Sequence, residues 1–310
     1  MTEGYTALRS GAAVLDLSAR GRIVARGRDR ARLLHNLTSN EVKKLAPGAA
    51  CYAFLLSPQG RIQADLYLLS FPEHFLIDVE PELPEKVMAH IKRYIIADQV
   101  ELEDVTASTA CIGIEGPAAA ATLSQIGAPV PENYAHAAWG DSTVAGITET
   151  GQPGARIYCA AAEGEKIMAK LEAAGAKRAS LDDARTVRIE NGKPRYGEDI
   201  FDKTLPQETQ QMHALSFTKG CYLGQEIVER IRAQGHVNKK LVRLEIAGVE
   251  VPGAGTKAQA NGADVGELTT AVYSSKLNKV AGLAYLRTQF TEPGAEVLVD
   301  GRAARVVGQA

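Results

Sequence analysis

The spacing of hydrophobic and polar residues changes along the chain, and the first part reads as a mixture of helices and strands. Residues 62–71 and 74–79 have the composition of two strands joined by a hairpin. Pro84 is placed to begin a helix whose apolar stripe includes Val87, Ile91 and Ile95. Residues 98–105 alternate again as a strand. This β-β-α-β order predicts an α+β layer.

A similar order partly recurs between residues 110 and 194. Strands are expected at 110–114 and near 143–149 and 155–161, with helices at 117–127, 163–175 and 180–191. The last of these helices ends at Asn191-Gly192-Lys193-Pro194, a strong helix-breaking sequence. Before the first layer, Asp29 is expected to cap a short helix that carries Leu33, Leu34 and Leu37.

The pattern becomes purely strand-like after the helix QEIVERIRAQ, which ends at Gly235. Asn261-Gly262 and Asp300-Gly301 lie between short strands and are typical of type I′ hairpin turns. We therefore expect two regions, an α+β region over 1–237 and a small β-barrel domain over 238–310.

Composition narrows the class of protein but not its function. The chain has 310 residues, a net charge of -2 and 45% hydrophobic residues, which is typical of a globular protein. There is no basic excess to indicate direct nucleic-acid binding. No signal-peptide pattern and no run of roughly 20 apolar residues is present, so a cytoplasmic location away from membranes is expected.

The cysteines give the first candidate chemistry. The four cysteines lie far apart, without C-x-x-C or zinc-ligand spacing, so no metal site is expected from this chain alone. Cys221 lies in KGCYLGQEIVER, two residues after Lys219 and just before a helix expected to begin at Gly224. A nearby cation and a helix N-terminus both favour the reactive thiolate. The alternative is that Cys221 is a small buried apolar residue.

Carboxylates supply the other candidates. Glu190 lies in the last turn of its helix, where it either frays at the surface or accepts paired N–H groups from a ligand such as a pterin. Asp65 lies at the start of an apolar strand and is either a solvent-facing residue or an acid–base group near a cleft. Glu226 and Arg230 have the i,i+4 spacing of an exposed ion pair. The aromatic residues show no stacking stripe.

Taken together, these segments resemble the YgfZ-type folate-binding proteins, which are relatives of the glycine cleavage aminomethyltransferase (T-protein) and of the mitochondrial iron–sulfur assembly factor. The resemblance is carried by the motif KGCYLGQE and by three longer blocks. The blocks are NLTSNEVKKLAPGAACYAFLLSPQGRIQADLYLL, RIENGKPRYGEDIFDKTLPQE, and the C-terminal VGELTTAVYS with GLAYLR.

The resemblance implies a ring-like α+β fold of three domains, with two interleaved α+β domains and a C-terminal β-barrel around a tetrahydrofolate. It implies that Glu190 holds the pterin ring, with Asp199 as a weaker pocket residue. Lys219 and Cys221 would form the functional pair. Gln225, Glu226 and Arg230 complete the motif and are expected near the cofactor.

Two functions follow from the resemblance. T-proteins carry adjacent acidic residues where this chain has Ala64-Asp65, and they lack the K-G-C-Y form of the later motif. These departures favour a tetrahydrofolate-binding accessory protein for iron–sulfur cluster assembly or repair, including maintenance of iron–sulfur tRNA-modifying enzymes. Its partners would be iron–sulfur proteins or assembly factors. The alternative is a tetrahydrofolate-dependent aminomethyltransferase or demethylase that acts on a small amine, with Asp65 near the reacting folate nitrogen.

Overall fold

The helices and strands of the chain form two antiparallel-rich sheets and a barrel. The computed structural model describes residues 1–310, apart from the side chain of Gln234. The helices are α1 (Glu3–Ser10), α2 (Arg30–Leu37), α3 (Pro84–Lys92), α4 (Ala119–Gln125), α5 (Gly164–Ala173), α6 (Leu181–Asn191) and α7 (Gln225–Gln234).

The strands fall into an N-terminal set and a C-terminal set. The first set is β1 (Ala13–Asp16), β2 (Gly21–Arg26), β3 (Ala50–Leu56), β4 (Ile62–Ser70), β5 (His74–Val79), β6 (Glu101–Asp104), β7 (Thr109–Glu115), β8 (His136–Trp139), β9 (Ser142–Ala145), β10 (Gly154–Ala160) and β11 (Lys177–Arg178). The second set is β12 (Lys239–Ile246), β13 (Lys257–Ala260), β14 (Ala263–Ser274), β15 (Lys279–Arg287), β16 (Glu296–Val299) and β17 (Arg302–Gln309).

The two sheets are interleaved along the chain. One sheet has the order β3-β4-β5-β2-β6, and the other has the order β11-β1-β7-β10-β9-β8. The chain therefore places β1 in the second sheet, returns to build the first sheet with β2 to β6, and then completes the second. This interleaving and the mixed composition confirm the predicted pair of α+β units.

Local signals account for most helix boundaries. Ser180 caps α6 in a reciprocal capping box with Asp183, and Gly192 ends the helix at φ 78. Gly235 ends α7 at the same φ of 78. The prediction that the side chain of Asp29 caps α2 is wrong. Asp29 precedes the helix, but its carboxylate accepts a hydrogen bond of 2.8 Å from the backbone N–H of Gln99 instead.

The C-terminal strands close into a barrel in the order β12-β15-β14-β13-β16-β17. Asn261 and Gly262 have φ of 52 and 74, and Asp300 and Gly301 have φ of 53 and 72. Both pairs are left-handed, as type I′ turns require, so these hairpin predictions are confirmed. The barrel has a hydrophobic core of its own. The predicted α+β fold with a C-terminal barrel is confirmed.

None of the helices in the described residues is long and apolar enough to cross a membrane.

Candidate active site

The principal candidate site is a cavity of about 750 Å³. Strands β3 and β4 contribute one wall, residues 130–134 and 146–155 contribute a second, and the chain just after α6 contributes a third. The volume lies within the range typical of sites for small organic ligands.

Aromatic rings form part of the cavity wall. Tyr52 and Tyr67 are cross-strand partners on β3 and β4, with ring centroids 5.0 Å apart. His213 stacks on Tyr52 at 5.4 Å, and Tyr134 stacks on Tyr67 at 6.5 Å. The sequence shows no stacking stripe, because these four residues are far apart in the chain. Tertiary folding brings these four rings together, and their faces suit a flat heteroaromatic ligand.

Lys193 supplies a cation to the same cavity. Gly192 adopts φ 78 at the end of α6, so the chain turns sharply and Lys193 enters the cavity wall. Its ammonium donates a hydrogen bond to the carbonyl oxygen of Thr148 and lies 5.8 Å from the ring centroid of Tyr67. Burial lowers the pKa of Lys193 to about 8. Sequence analysis did not select Lys193, whose one signal is its position in a helix-breaking segment.

Asp65 does not line the cavity, but it is hydrogen bonded to Tyr52, which does. Its Oδ2 accepts a hydrogen bond of 2.8 Å from the hydroxyl of Tyr52, and its Oδ1 is buried without a hydrogen-bond partner among the described groups. Burial, followed by the nearby Glu80, raises the pKa of Asp65 to about 6. The solvent-facing alternative is wrong because almost all of β4 is buried on both of its faces.

A buried ionic network supports the floor of the cavity. Asp78 accepts hydrogen bonds from Arg20 at 2.7 Å, Arg156 at 3.0 Å and the hydroxyl of Tyr158 at 2.6 Å. Burial opposes ionisation of Asp78, but the two guanidinium groups outweigh it and keep its pKa below the ordinary value. The guanidinium of Arg156 also lies 5.0 Å from the ring centroid of Tyr67. The network thus joins the two sheets beneath the aromatic wall.

Glu190 is not brought to this cavity. The hydroxyls of Tyr5, at 2.8 Å, and Ser274, at 2.5 Å, donate to its Oε1, and Arg9 forms an ion pair with its Oε2. Its side chain is only 2% exposed. The helix end does not fray, so the surface alternative is wrong. The contact of Glu190 with a pterin stays a prediction, and this chain's own donors already bind the carboxylate.

Asp199 is also drawn away from the cavity. Its carboxylate accepts hydrogen bonds from Arg188 at 2.7 Å, Thr269 at 2.6 Å and Thr270 at 2.7 Å. The threonines belong to β14, so Asp199 connects the α+β region to the barrel. A pocket role for Asp199 stays a prediction.

The two residues of the predicted pair, Lys219 and Cys221, differ in exposure. Lys219 is buried, and its ammonium donates to the carbonyl oxygens of His35, Thr38 and Asn40 at 2.5, 2.6 and 2.6 Å. Cys221 is exposed, whereas the other cysteines are buried. The chain bends at 217–219, so the i−2 spacing that would place two side chains on one side of an extended strand does not apply to Lys219 and Cys221. The buried alternative for Cys221 is wrong as well.

The rest of the motif lies on or beside α7. The side-chain oxygen of Gln225 accepts a hydrogen bond of 3.3 Å from the backbone N–H of Tyr222. Glu226 and Arg230 are exposed, and among the described side chains they do not form the expected ion pair. The cavity described above is lined by other residues. A cofactor contact for Gln225, Glu226 and Arg230 therefore stays a prediction.

Two family models together match nearly the whole chain. The family model described as the GCVT N-terminal domain matches residues 1–219, and the model described as the glycine cleavage T-protein C-terminal barrel domain matches residues 239–309.

Relatives share this coverage. Aminomethyltransferases of Rubrobacter xylanophilus and Geobacillus kaustophilus are each 31% identical to this chain, over 98% of it and over 84% and 87% of their own lengths. A putative chloroplastic transferase of Arabidopsis thaliana is 25% identical over 99% of this chain and 72% of its own. The glycine cleavage system aminomethyltransferase T of Bartonella henselae has the same fold, with a TM-score of 0.90, 19% identity and coverage of 99% and 88%.

Proposed function

Because this chain belongs to the glycine cleavage T-protein (aminomethyltransferase) family, we propose that it is a tetrahydrofolate-dependent enzyme that removes or transfers a one-carbon unit of a small amine. Members of the family use tetrahydrofolate as substrate or cofactor, so the predicted cofactor is confirmed at the level of the family. The observation that carries the proposal is the cavity with its aromatic wall, its lysine and the carboxyl group behind it.

The residues of the cavity fit such a cofactor. The rings of Tyr52, Tyr67, Tyr134 and His213 offer faces on which a flat pterin ring would stack. Lys193 offers N–H donors to an oxygen acceptor or a carboxylate of the ligand. When bound, tetrahydrofolate supplies the nitrogen atoms that accept the one-carbon unit.

Asp65 and Tyr52 are placed to handle the proton of the reacting amine. With a pKa of about 6, the Asp65 carboxyl is mostly ionised at neutral pH and can accept a proton. The Tyr52 hydroxyl lies between Asp65 and the cavity, so it can take a proton from the amine while giving its own to Asp65. This is how the predicted role of Asp65 would operate without direct contact with the ligand.

The test is to incubate the full chain with tetrahydrofolate and a panel of small aminomethyl compounds and to measure methylenetetrahydrofolate and the released amine. The carbon of an aminomethyl group is already at the oxidation level of formaldehyde, so the transfer needs no oxidant. Tyr52→Phe removes the hydroxyl but keeps the ring, and Asp65→Asn removes the charge. Both variants should bind folate like the wild type and lose about a hundred-fold in turnover. Folate binding without turnover of any amine would contradict the enzymatic proposal and leave folate binding intact.

The second candidate is the accessory role in iron–sulfur cluster assembly or repair, with iron–sulfur proteins or assembly factors as partners. What supports it is the exposure of Cys221 in a motif that the YgfZ-type proteins share. An exposed thiol can meet a partner protein, which a buried thiol cannot. The thiolate role fails if a Cys221→Ala chain still restores iron–sulfur enzyme activity in a deletion strain.

A further inference from the structure

A second cleft lies between the barrel and the loop that follows Asp199. Its volume is about 330 Å³, at the lower end of the range for small-ligand sites. Strands β12 to β15 supply one side, and Phe201 and Lys203 supply the other. This cleft shares no lining residue with the aromatic cavity, so an occupant would be separate from the proposed folate site.

Cations dominate the lining of the cleft. Lys203, Lys239, Lys257 and Arg287 face two carboxylates, Asp264 and Glu267. Both carboxylates already have partners, since Glu267 forms an ion pair with Lys257 at 2.5 Å and Asp264 accepts a hydrogen bond of 2.9 Å from the amide of Gln259. The surplus of positive charge stands out in a chain whose net charge is -2.

Two of these cations lie directly opposite each other on paired strands. Lys239 on β12 and Arg287 on β15 are direct cross-strand partners. Like charges in directly opposite positions destabilise a sheet unless something neutralises them. Among the ion pairs of the described residues, neither Lys239 nor Arg287 has a carboxylate partner, and neither does Lys203.

The cleft also has an aromatic base. The ammonium of Lys239 lies 4.7 Å from the ring centroid of Tyr285, and that of Lys203 lies 5.9 Å from the ring centroid of Phe201. These contacts hold the cations at the cleft, where Glu267, already paired with Lys257, also attracts Lys203 and Lys239 without forming an ion pair with either. A guanidinium at Arg287 can bind a phosphate or carboxylate through two parallel hydrogen bonds.

We propose that this cleft binds a small ligand with two or more anionic groups, either phosphates or carboxylates. One anionic group lies between Lys239 and Arg287 and neutralises their repulsion. A second group is bound by Lys203 from the opposite side of the cleft. The ligand is a small molecule because the cleft has the volume for one and is bounded on both sides.

The experiment is calorimetric titration of the full chain with pyrophosphate and with citrate at low salt. We expect saturable binding of one of them, weakened about ten-fold in Lys239→Gln and in Arg287→Gln, because each variant loses a charge-assisted hydrogen bond. The matched control is Lys276→Gln, which removes the same charge from an exposed position in the β14–β15 turn and should bind like the wild type. Preference for pyrophosphate or citrate identifies the ligand as a phosphate or a carboxylate.

Melting temperatures provide an independent measurement. At low salt without any anion, Arg287→Gln should melt at a higher temperature than the wild type, because the repulsion between Arg287 and Lys239 is removed while the contact of Lys239 with Tyr285 is kept. The proposal is overturned if neither anion binds, if the three variants bind equally, if Arg287→Gln melts lower than the wild type, or if an acidic peptide binds while the small anions do not. Should one cleft variant fail to fold, the other still tests the binding.

Discussion

Two lysines in this protein have similar electrostatics and different surroundings. Burial lowers the pKa of both Lys219 and Lys193 to about 8. The ammonium of Lys219 is bound by three backbone carbonyls at and after the end of α2. The ammonium of Lys193 has one carbonyl partner, that of Thr148, and faces a cavity. A lowered pKa alone therefore does not identify a functional lysine. What distinguishes the two lysines is whether the protein's own carbonyl oxygens accept all of the N–H donors or leave some for a ligand.

The motif predicted a functional role for Lys219 and none for Lys193, whereas their surroundings favour the opposite assignment. Lys219 lies beside Cys221 in the distinctive motif, yet it stabilises the fold by binding the carbonyls at the C-terminal end of a helix, where cations are favoured. Lys193 has no motif of its own, yet it has N–H donors left for a ligand.

The largest expected effect is the loss of stability when Lys219 is replaced. Lys219→Met leaves three carbonyl oxygens without their charged donor, and we expect it to lower the free energy of unfolding by about 3 kcal/mol. The measurement is urea unfolding, with Lys193→Met as the matched variant, for which about 1 kcal/mol is expected. A loss below about 1 kcal/mol in Lys219→Met would remove the distinction between the two lysines.

The next effect is on binding at the second lysine. Lys193→Met should weaken the binding of tetrahydrofolate about ten-fold, since a charge-assisted hydrogen bond to the ligand is lost. Calorimetric titration of the purified protein measures this, and Lys276→Met, an exposed lysine elsewhere, is the control. Unchanged affinity in Lys193→Met would mean that Lys193 does not contact the ligand.

Lys193 and Lys219 should both contribute to the pH dependence of the free energy of unfolding. In the folded protein each releases its proton near pH 8, whereas in the unfolded chain it keeps the proton until about pH 10.4. Between these values the unfolded state binds more protons, so the free energy of unfolding rises with pH, by about 1 kcal/mol per pH unit for each lysine.

Urea unfolding between pH 8 and pH 10 measures this slope. Each Lys→Met variant should have a shallower slope than the wild type by the contribution of one lysine. A variant with the slope of the wild type would show that its lysine is not buried as described.

The smallest effect is expected at the exposed thiol. Cys221→Ala should change the free energy of unfolding by less than about 0.5 kcal/mol, because an exposed side chain has little packing to lose. In the wild type, Cys221 should be alkylated before Cys51 and Cys111, for which burial raises the pKa to about 12. Mass spectrometry after brief alkylation orders the sites. Faster labelling of a buried cysteine would contradict this assignment.

Much of the fold could be predicted because its signals are local. Pro84 begins α3, the Asn191-Gly192 pair ends α6, and the Asn-Gly and Asp-Gly pairs turn the barrel hairpins, all through backbone preferences that neighbouring residues determine. The return of the chain from β1 in one sheet to β2 in the other has no such local signal. It is seen only in the strand orders of the two sheets.

The candidate site was predictable only in part. The role of Asp65 stays a prediction, and its link to the cavity passes through Tyr52, a residue on the neighbouring strand. Glu190 and Asp199 lie in the block that reaches the cavity, yet donors from α1 and β14 bind their carboxylates elsewhere. Such donors are distant in sequence, so spacing within the block could not reveal them.

The sequence by itself determined the helix ends, the type I′ turns, the separation of a β region after residue 238 and the family to which the chain belongs. These follow from local backbone preference and from long matched motifs. Only the tertiary structure decided which lysine faces the cavity, which carboxylates are already bound by the protein, and that Tyr52, Tyr67, Tyr134 and His213 share one wall. The reason is physical: burial, charge and hydrogen-bond partners are set by residues far apart in the chain.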